Sequence, residues 1–219
     1  MTAATAAELE RLPLFASLTR GEREAAASLF LARAYPQGAI VANEGDLVSH
    51  VAFVLSGRIR LFARDVDGHQ VDVSFVAPGD PTLMSALVEK PLPISLMAAE
   101  PLVLLAVTKY DFESLLRRHP EFAVQFARHQ AGIVRELIGN TKVLIMEDVY
   151  GRVAWWLAKR AQPVDGKLLT DRLTHEDIGR RVGATREMVG RVLRELAAGG
   201  YIASDGGRYT LLRKLPRHR

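Results

Sequence analysis

Five glycines at regular intervals divide residues 38–108 into short segments, and this spacing constrains the fold more than any other feature of the chain. They lie seven, twelve, eleven and eleven residues apart, at Gly38, Gly45, Gly57, Gly68 and Gly79. Apolar, β-prone runs lie between and after them, at 51–55, 59–63, 71–76, 94–98 and 102–107. Short strands with a turn about every eight to twelve residues indicate an antiparallel sandwich or barrel. A parallel Rossmann sheet would need crossover helices, which this pattern lacks.

The segment 71–76 has the alternation expected of a strand with one buried face. Val71, Val73 and Phe75 alternate with Asp72 and Ser74, and side chains two residues apart point to the same face of a sheet. Turn residues border the strands at Glu44-Gly45-Asp46, Asp67-Gly68 and Pro78-Gly79-Asp80. We therefore expect an antiparallel β-domain, with the apolar side chains of 71–76 facing its core.

Composition restricts the class of protein. The chain has 219 residues, and its 48% hydrophobic content is enough for one large buried core or two smaller ones. It contains no cysteine, which excludes disulfides, cysteine-ligated zinc, iron–sulfur clusters on cysteines and thiol catalysis. The apolar runs are too short to cross a bilayer, and residues 1–12 lack the layout of a secretory signal. We expect a cytoplasmic protein with no membrane partner.

Positive charge is concentrated at the C-terminal end. Residues 1–149 carry 14 Lys+Arg and 18 Asp+Glu, a net charge of −4, whereas residues 150–219 carry 15 and 7, a net charge of +8. Lys and Arg that neutralise phosphates supply most of the non-specific affinity for nucleic acid. The split therefore favours a C-terminal module that binds a polyanion, although a solvated basic surface would have the same composition.

A long helix is predicted after Pro120, because the next proline is Pro163. One apolar seam has the alternating spacing of a coiled coil: Ala123, Ala127, Gln130, Val134, Leu137, Thr141 and Leu144. A second apolar stripe comprises Phe122, Phe126, Ile133 and Val143. Two apolar faces need two partners, which we interpret as the β-domain and the same helix of a second subunit. The polar Gln130 and Thr141 leave a core helix in a monomer as the alternative.

The segment 173–196, LTHEDIGRRVGATREMVGRVLREL, has the pattern of a helix-turn-helix. Thr174 followed by Asp177 forms a capping-box-like start for the first helix. Gly183 makes the turn, and Thr185 caps the second helix. Gly179 allows the two helices to cross closely. The apolar contacts between the helices are expected from Ile178, Val182, Val189 and Val192.

The second helix carries side chains suited to reading bases. The residues predicted on its exposed side are Arg186, Glu187, Gly190, Arg191 and Arg194. Arg186 and Arg191 can each donate two hydrogen bonds to guanine, and Glu187 can accept one from cytosine. The alternative is a solvated face with an ion pair between Glu187 and Arg191. A hairpin predicted around 204–207 would form a wing, with Arg208, Arg213 and Lys214 as candidate phosphate contacts.

The order of these parts, and REMVGRVLREL in particular, resembles the CRP/FNR family of bacterial transcription regulators over nearly the whole chain. The resemblance implies an α+β chain with an antiparallel, cyclic-nucleotide-binding-like β-roll at 1–118, a dimerisation helix at 119–147 and a winged helix-turn-helix at 148–219. In that family the R-E-x-x-x-R letters, here Arg186, Glu187 and Arg191, read a TGTGA-type half-site, and phosphate-contacting hydroxyls fall on Thr174 and Thr185. It further implies a homodimer that binds double-stranded DNA, and RNA polymerase as a partner if the protein is an activator.

The effector end departs from the family pattern. In relatives that bind cyclic AMP, a glutamate binds the ribose and an Arg-Ser pair binds the cyclic phosphate; here Met84 replaces the glutamate, Ile94 replaces the arginine, and Ser95 remains. The Thr-Ser pair that contacts adenine corresponds to Leu137 and Ile138. The expected effector pocket is apolar and comprises Leu83, Met84, Ser85, Ile94, Ser95, Leu137, Ile138 and Thr141. A buried cyclic phosphate without a cation is strongly disfavoured, so we expect no response to cyclic AMP. The sequence does not identify another effector.

Two other functions are compatible with parts of the sequence. A regulator of the same architecture could sense haem or another small ligand, with an axial ligand among His50, His69, His119 and His129, none of which has a motif around it. An enzyme would need catalytic machinery, but the sequence contains no P-loop, G-x-S-x-G, H-E-x-x-H or strand-linked G-x-G-x-x-G motif. We therefore predict a DNA-binding regulator that is not an enzyme, holds no metal and has an unidentified effector.

Overall fold

The computed structural model of the chain describes residues 2–64, 68 and 70–216. The chain consists of two compact units, Met1–Ile133 and Val134–Arg219. The boundary between them lies within the longest helix, Pro120–Met146. Within the described ranges, no helix combines the length and apolar character needed to cross a membrane.

Two antiparallel sheets form most of the first unit. Their strands are β1 (Thr2–Ala3), β2 (Phe30–Tyr35), β3 (Ile40–Ala42), β4 (His50–Ser56), β5 (Ile59–Arg64), β6 (Gln70–Val76), β7 (Pro81–Thr82), β8 (Ser95–Ala98) and β9 (Leu102–Thr108). One sheet has the order β1-β2-β9-β4-β7, and the other has the order β3-β8-β5-β6. The antiparallel β-domain predicted from the glycine spacing is confirmed.

The turn between β4 and β5 requires glycine. Gly57 has a φ of +79°, and a Cβ at this position would lie 2.3 Å from the carbonyl oxygen of Pro101. Only a residue without a side chain avoids this collision. The turn carries the chain from one sheet to the other.

Two cores stabilise the first unit. Ile59, Val76 and Leu104 belong to the core between the two sheets. The second core contains the phenylalanine rings Phe15, Phe30, Phe53, Phe112, Phe122 and Phe126 and is covered by helices. The helices are α1 (Ala6–Glu10), α2 (Arg20–Ala27), α3 (Ser85–Val88), α4 (Lys109–Arg118) and α5 (Pro120–Met146), with a 3₁₀ turn at Pro13–Ser17. The predicted contact between α5 and the β-domain is therefore present through Phe122 and Phe126.

The predicted orientation of β6 is wrong. Val71, Val73 and Phe75 are 36%, 44% and 40% exposed, whereas Asp72 is 7% exposed. The guanidinium of Arg60 lies 2.5 Å from the Asp72 carboxylate, so this buried acid is paired. β6 is an edge strand, and its register with β5 shifts between Leu61 and Phe62. Burial alternates without a break along the whole of β6, so the shifted register does not exchange its two faces. Asp72 can lie on the inner face because the Arg60 guanidinium pairs with its carboxylate.

An apolar stripe of α5 is exposed. Its members recur at spacings of three and four residues, and all are exposed: Val124, Ala127, Ala131, Val134, Ile138, Thr141 and Ile145. It shares Ala127, Val134 and Thr141 with the predicted seam, in which Ala123 and Gln130 are half-buried. Leu137 and Leu144 of the predicted seam are exposed as well, so the two stripes overlap and the seam stays a prediction.

The second unit continues with three helices and a four-stranded sheet. Its elements are α6 (Val149–Arg160), β10 (Gln162–Val164), β11 (Lys167–Leu169), α7 (His175–Val182), α8 (Arg186–Ala198), β12 (Ile202–Asp205) and β13 (Arg208–Leu211). The antiparallel sheet has the order β10-β11-β13-β12 and is called the wing sheet below. The hairpin β10–β11 was not predicted, although its turn residues Asp165 and Gly166 have the positive φ values typical of a type I′ turn.

Candidate nucleic-acid interface

The first helix of the helix-turn-helix has defined ends. Thr174 and Asp177 form a capping box: the Thr174 hydroxyl accepts a hydrogen bond from the Asp177 N–H at 3.0 Å and donates to the Asp177 carboxylate at 2.6 Å. Gly183 ends the helix in the left-handed conformation with a φ of 64°. The caps satisfy terminal backbone groups and fix the length of α7.

The crossing of α7 and α8 depends on a close backbone contact. A Cβ at Gly179 would lie 2.5 Å from the carbonyl oxygen of Ala184. Around this contact, Ile178, Val182 and Val189 are almost completely buried. The predicted role of Gly179 and of the apolar contacts is therefore confirmed.

A residue outside the motif braces the turn. Arg152 of α6 donates a hydrogen bond from Nη1 to the carbonyl oxygen of Val182 at 2.8 Å. The bond satisfies a carbonyl at the C-terminal end of α7, where a cation is also favoured by the helix dipole. Arg152 is not among the residues predicted from the sequence, because no local pattern links positions that are 30 residues apart.

The N-terminal end of α8 presents an ionised carboxylate. The Thr185 hydroxyl accepts a hydrogen bond from the Met188 N–H at 3.3 Å and caps the helix. The pKa of Glu187 is lowered by a hydrogen bond from its own backbone N–H, then by the Thr185 hydroxyl and the positive charge of Arg186. Glu187 is therefore a hydrogen-bond acceptor at neutral pH.

Five residues of α8 were predicted on its exposed side, and four of them are exposed. Arg186, Glu187, Arg191 and Arg194 are exposed, whereas Gly190 is buried. In the described part of the chain, no ion pair joins Glu187 to Arg191. A Cβ at Gly190 would lie 3.3 Å from Nδ1 of His175, so this glycine lets α7 approach α8. The placement of Gly190 on the exposed side is therefore corrected.

The predicted wing is present as the hairpin β12–β13. Its turn residues, Gly206 and Gly207, both have positive φ. Arg208 and Lys214 are exposed, as a phosphate contact requires. Arg213 instead donates a hydrogen bond to the carbonyl of Gly199 and packs 4.0 Å above the Tyr201 ring. The Arg213 guanidinium therefore has contacts within the unit, whereas the charged groups of Arg208 and Lys214 are exposed.

The expected effector residues fall into separate groups. Leu83, which has a φ of +59°, and Ile94 pack against the core between the sheets, whereas Met84 packs against the other core. Ser85 begins α3, and the Ser95 hydroxyl accepts a hydrogen bond from the Glu44 N–H at 3.0 Å. The remaining members, Leu137, Ile138 and Thr141, are exposed on α5 in the second unit. The β-domain group therefore offers three apolar side chains and two serine hydroxyls, but no cation.

The candidate haem ligands have other contacts. Nδ1 of His119 lies 3.2 Å from a Glu22 carboxylate oxygen, and Nε2 of His129 lies 3.1 Å from one of Asp80. Nδ1 of His50 lies 2.9 Å from the Ser49 hydroxyl. His69 lies outside the described residues. Over residues 2–64, 68 and 70–216, no group of three or more His, Asp or Glu side chains could hold a metal ion.

Sequence comparison identifies both halves of the chain. The cyclic nucleotide-binding domain matches residues 32–119, and the Crp-like helix-turn-helix domain matches residues 151–215. The cyclic AMP receptor protein of Thermus thermophilus is 34% identical over 196 residues, which cover 89% of this chain and 90% of that protein.

Solved structures have the same architecture. The c-di-GMP responsive global regulator CLP of Xanthomonas campestris has a TM-score of 0.74 at 20% identity, covering 88% of this chain and 99% of that one. A CRP/FNR family transcriptional regulator of T. thermophilus has a TM-score of 0.68 at 25% identity, covering 84% and 94%. With its cyclic nucleotide-binding domain, long helix and DNA-binding helix-turn-helix, the chain belongs to the CRP/FNR family of transcriptional regulators.

Proposed function

We propose that the protein is a homodimeric, sequence-specific regulator that reads a TGTGA-like half-site through α8 and does not respond to cyclic AMP. The observation that carries this proposal is the exposed set Arg186, Glu187 and Arg191 on a helix whose crossing angle is fixed at Gly179. It acts in the cytoplasm as a binding protein rather than an enzyme. RNA polymerase is its further partner if it activates transcription.

The exposed side chains have the chemistry needed for base recognition. Arg186 and Arg191 can each donate two hydrogen bonds to O6 and N7 of guanine. Glu187 is exposed and, with its lowered pKa, carries an ionised carboxylate that can accept a hydrogen bond from the amino group of cytosine. Thr174 and Thr185 stand at the N-terminal ends of α7 and α8, where the helix dipole and backbone N–H groups favour a phosphate. Gly190 is excluded from direct contact because it is buried.

The exposed stripe of α5 supports a dimer. Val134 is 55% exposed, Ile138 is 65% exposed and Ile145 is 78% exposed. Apolar residues that recur at spacings of three and four along a helix are covered in a coiled coil by the same stripe of a second helix. A two-fold dimer would present two α8 helices to half-sites about 34 Å apart, one turn of DNA.

The apolar residues of the cassette support the loss of the cyclic AMP response. A cyclic phosphate is stabilised by cations and hydrogen-bond donors, but Leu83, Met84 and Ile94 supply only apolar groups. In the β-domain, the buried guanidinium of Arg60 is already paired with Asp72. Transfer of a phosphate into this region without compensation would be costly.

DNA binding is tested with a labelled duplex that contains two inverted TGTGA half-sites. We expect fluorescence anisotropy to give an affinity that is about 10³-fold or more above that for a duplex with scrambled half-sites of the same length and salt. A duplex with half-sites moved five base pairs further apart controls for the dimer geometry. Equal affinity for the inverted-repeat and scrambled duplexes would contradict the proposal.

A further inference from the structure

A groove of about 1280 Å³ lies in the second unit between the C-terminal end of α5, the helix α6 and the wing sheet. Gly151 and Ala154 of α6 leave its floor open, because their side chains are absent or small. Trp155 and Leu168 line it beside them. Binding sites for organic ligands have volumes of about 300–1,000 Å³, so this groove can hold an extended molecule.

The walls of the groove contain large apolar side chains that are exposed to solvent. Met146 is 65% exposed, Leu168 is 47% exposed and Leu212 is 58% exposed, and all three line the groove. A contiguous apolar patch of this kind marks a binding surface. Lys142 and Met146 lie outside the exposed stripe of α5, so a dimer formed along that stripe would leave this wall in place.

The rim of the groove is positively charged. Lys142, Lys167 and Lys214 line it, and none of them has an ion-pair partner among the described residues. Glu147 is the acidic residue in the lining, and the fourth cation, Arg213, is held by Gly199 and Tyr201. The charge of the rim therefore complements an anion.

We propose that this groove binds an organic anion with an extended apolar body, such as a long-chain carboxylate or an aryl sulfonate. The apolar body lies along Trp155 and Leu168, and the anionic group lies beside Lys142 and Lys167. Because the lining comes from α5, α6, the wing sheet and the C-terminal segment, the site is separate from the base-reading face of α8. The proposal therefore does not depend on DNA recognition.

The charge requirement is tested with a matched pair of fluorescent probes. 8-Anilinonaphthalene-1-sulfonate and N-phenyl-1-naphthylamine share the same apolar body, but only the first carries an anionic group. We expect the sulfonate to bind more tightly than the neutral probe to the full-length protein and to quench the fluorescence of the two α6 tryptophans, Trp155 and Trp156, by energy transfer. The double variant Lys142→Gln/Lys167→Gln should bind the sulfonate about three- to tenfold more weakly, with little change for the neutral probe. Lys90→Gln, at an exposed position of the first unit, is the control.

The location is tested by filling the groove. Ala158 lines the groove and is exposed, so Ala158→Trp adds volume without disturbing a core. This variant should lose the fluorescence of the bound sulfonate when the probe is excited directly, outside the absorption of tryptophan. Dodecanoate, but not dodecanol, should displace the sulfonate from the unmodified protein. Equal affinity for both probes, or sulfonate binding unchanged in Ala158→Trp, would overturn the proposal. So would a change of oligomeric state in Ala158→Trp by light scattering, because the groove would then be a subunit contact. DNA is absent from these measurements, so a negative result for ligand binding in the groove would not affect the proposal that α8 recognises DNA.

Discussion

Single residues of the helix-turn-helix divide into those that set its geometry and those that it presents to solvent. Gly179 and Arg152 belong to the first group: one permits the backbone contact with Ala184, and the other holds the carbonyl of Val182. Arg186 and Arg191 belong to the second. Substitutions in the first group should change stability, whereas those in the second should change recognition.

Gly179→Ala should destabilise the second unit by about 1–3 kcal/mol, because the new methyl group would collide with a carbonyl oxygen. Both tryptophans, Trp155 and Trp156, lie in α6, so urea unfolding followed by tryptophan fluorescence reports on this unit. Gly139→Ala is the matched control. Nothing lies within 4 Å of a Cβ added at this position, and helix propensity predicts that the free energy of unfolding rises by up to about 1 kcal/mol. Equal effects of the two substitutions would contradict this account of the crossing.

Arg191→Ala should cost about 1–3 kcal/mol of binding free energy with the intact half-site and little with a duplex changed at the guanine it reads. Arg208→Ala, in the wing, should weaken binding to all duplexes alike and reduce the salt dependence by about one unit of slope. Anisotropy titrations of both variants against single-base substitutions distinguish the two roles. Uniform weakening by Arg191→Ala would rule out base reading at this position.

At the scale of elements, the local pattern predicted which segments form strands and helices better than it predicted what they face. The hairpin β5–β6 and the helices α7 and α8 follow from turn residues, caps and periodicity. The buried face of β6 did not follow from the pattern, because the burial of Asp72 depends on an ion pair with Arg60 of the neighbouring strand β5. Gly190 was misplaced because its role depends on His175 of another helix. The turn Asp165-Gly166 was a readable signal that was missed.

Glu22→Gln should lower the melting temperature of the first unit at neutral pH. The pKa of Glu22 is lowered mainly by the backbone N–H of Thr19, with contributions from the Thr19 hydroxyl and His119. A pKa below its usual value near 4.5 means that this stabilisation is complete above pH 4.5 and is lost as the pH falls through the lowered pKa. In circular dichroism melts, the difference in melting temperature between the wild-type protein and Glu22→Gln should be smaller at pH 3 than at pH 7. Glu24→Gln, in the same helix but outside the capping box, should have a smaller effect.

Ile138→Glu should convert the proposed dimer into monomers and weaken binding to the two-half-site duplex more than to a single half-site. The substitution places a charge in the exposed stripe of α5, where it would face the same charge of the partner helix. Gln125→Glu adds the same charge at an exposed position outside the stripe and should leave the dimer intact. Light scattering measures both, and a wild-type protein that is already monomeric would refute the assignment.

At the scale of the whole molecule, the N-terminal and C-terminal parts of the chain differ in charge and in the chemistry that they offer. The basic residues 150–219 carry the base-reading helix, whereas residues 1–149 are acidic overall and contain the apolar cassette. The family of each unit could be predicted from its motifs, because these follow from local sequence. The contacts of Leu83, Ile94 and Met84 could not, because they depend on two separate cores.

Cyclic AMP should not bind measurably at micromolar concentration and should not change the affinity for DNA. The reason is the replacement of charged groups by Met84 and Ile94 in the cassette. Titration calorimetry with cyclic AMP, with the cyclic AMP receptor protein of T. thermophilus as a positive control, measures binding directly. Micromolar binding accompanied by tighter DNA binding would contradict the prediction.

The turn at Gly57 also determines which sequences can adopt this fold. Its positive φ and the 2.3 Å approach to Pro101 act together, whereas Gly45 has a positive φ of +88° but open space around it. In a saturation library selected for folded protein, position 57 should return glycine alone, because no side chain fits. Position 45 should also return asparagine, which tolerates the left-handed conformation. The glycines that look equivalent in the sequence thus differ in how much mutational drift each one permits.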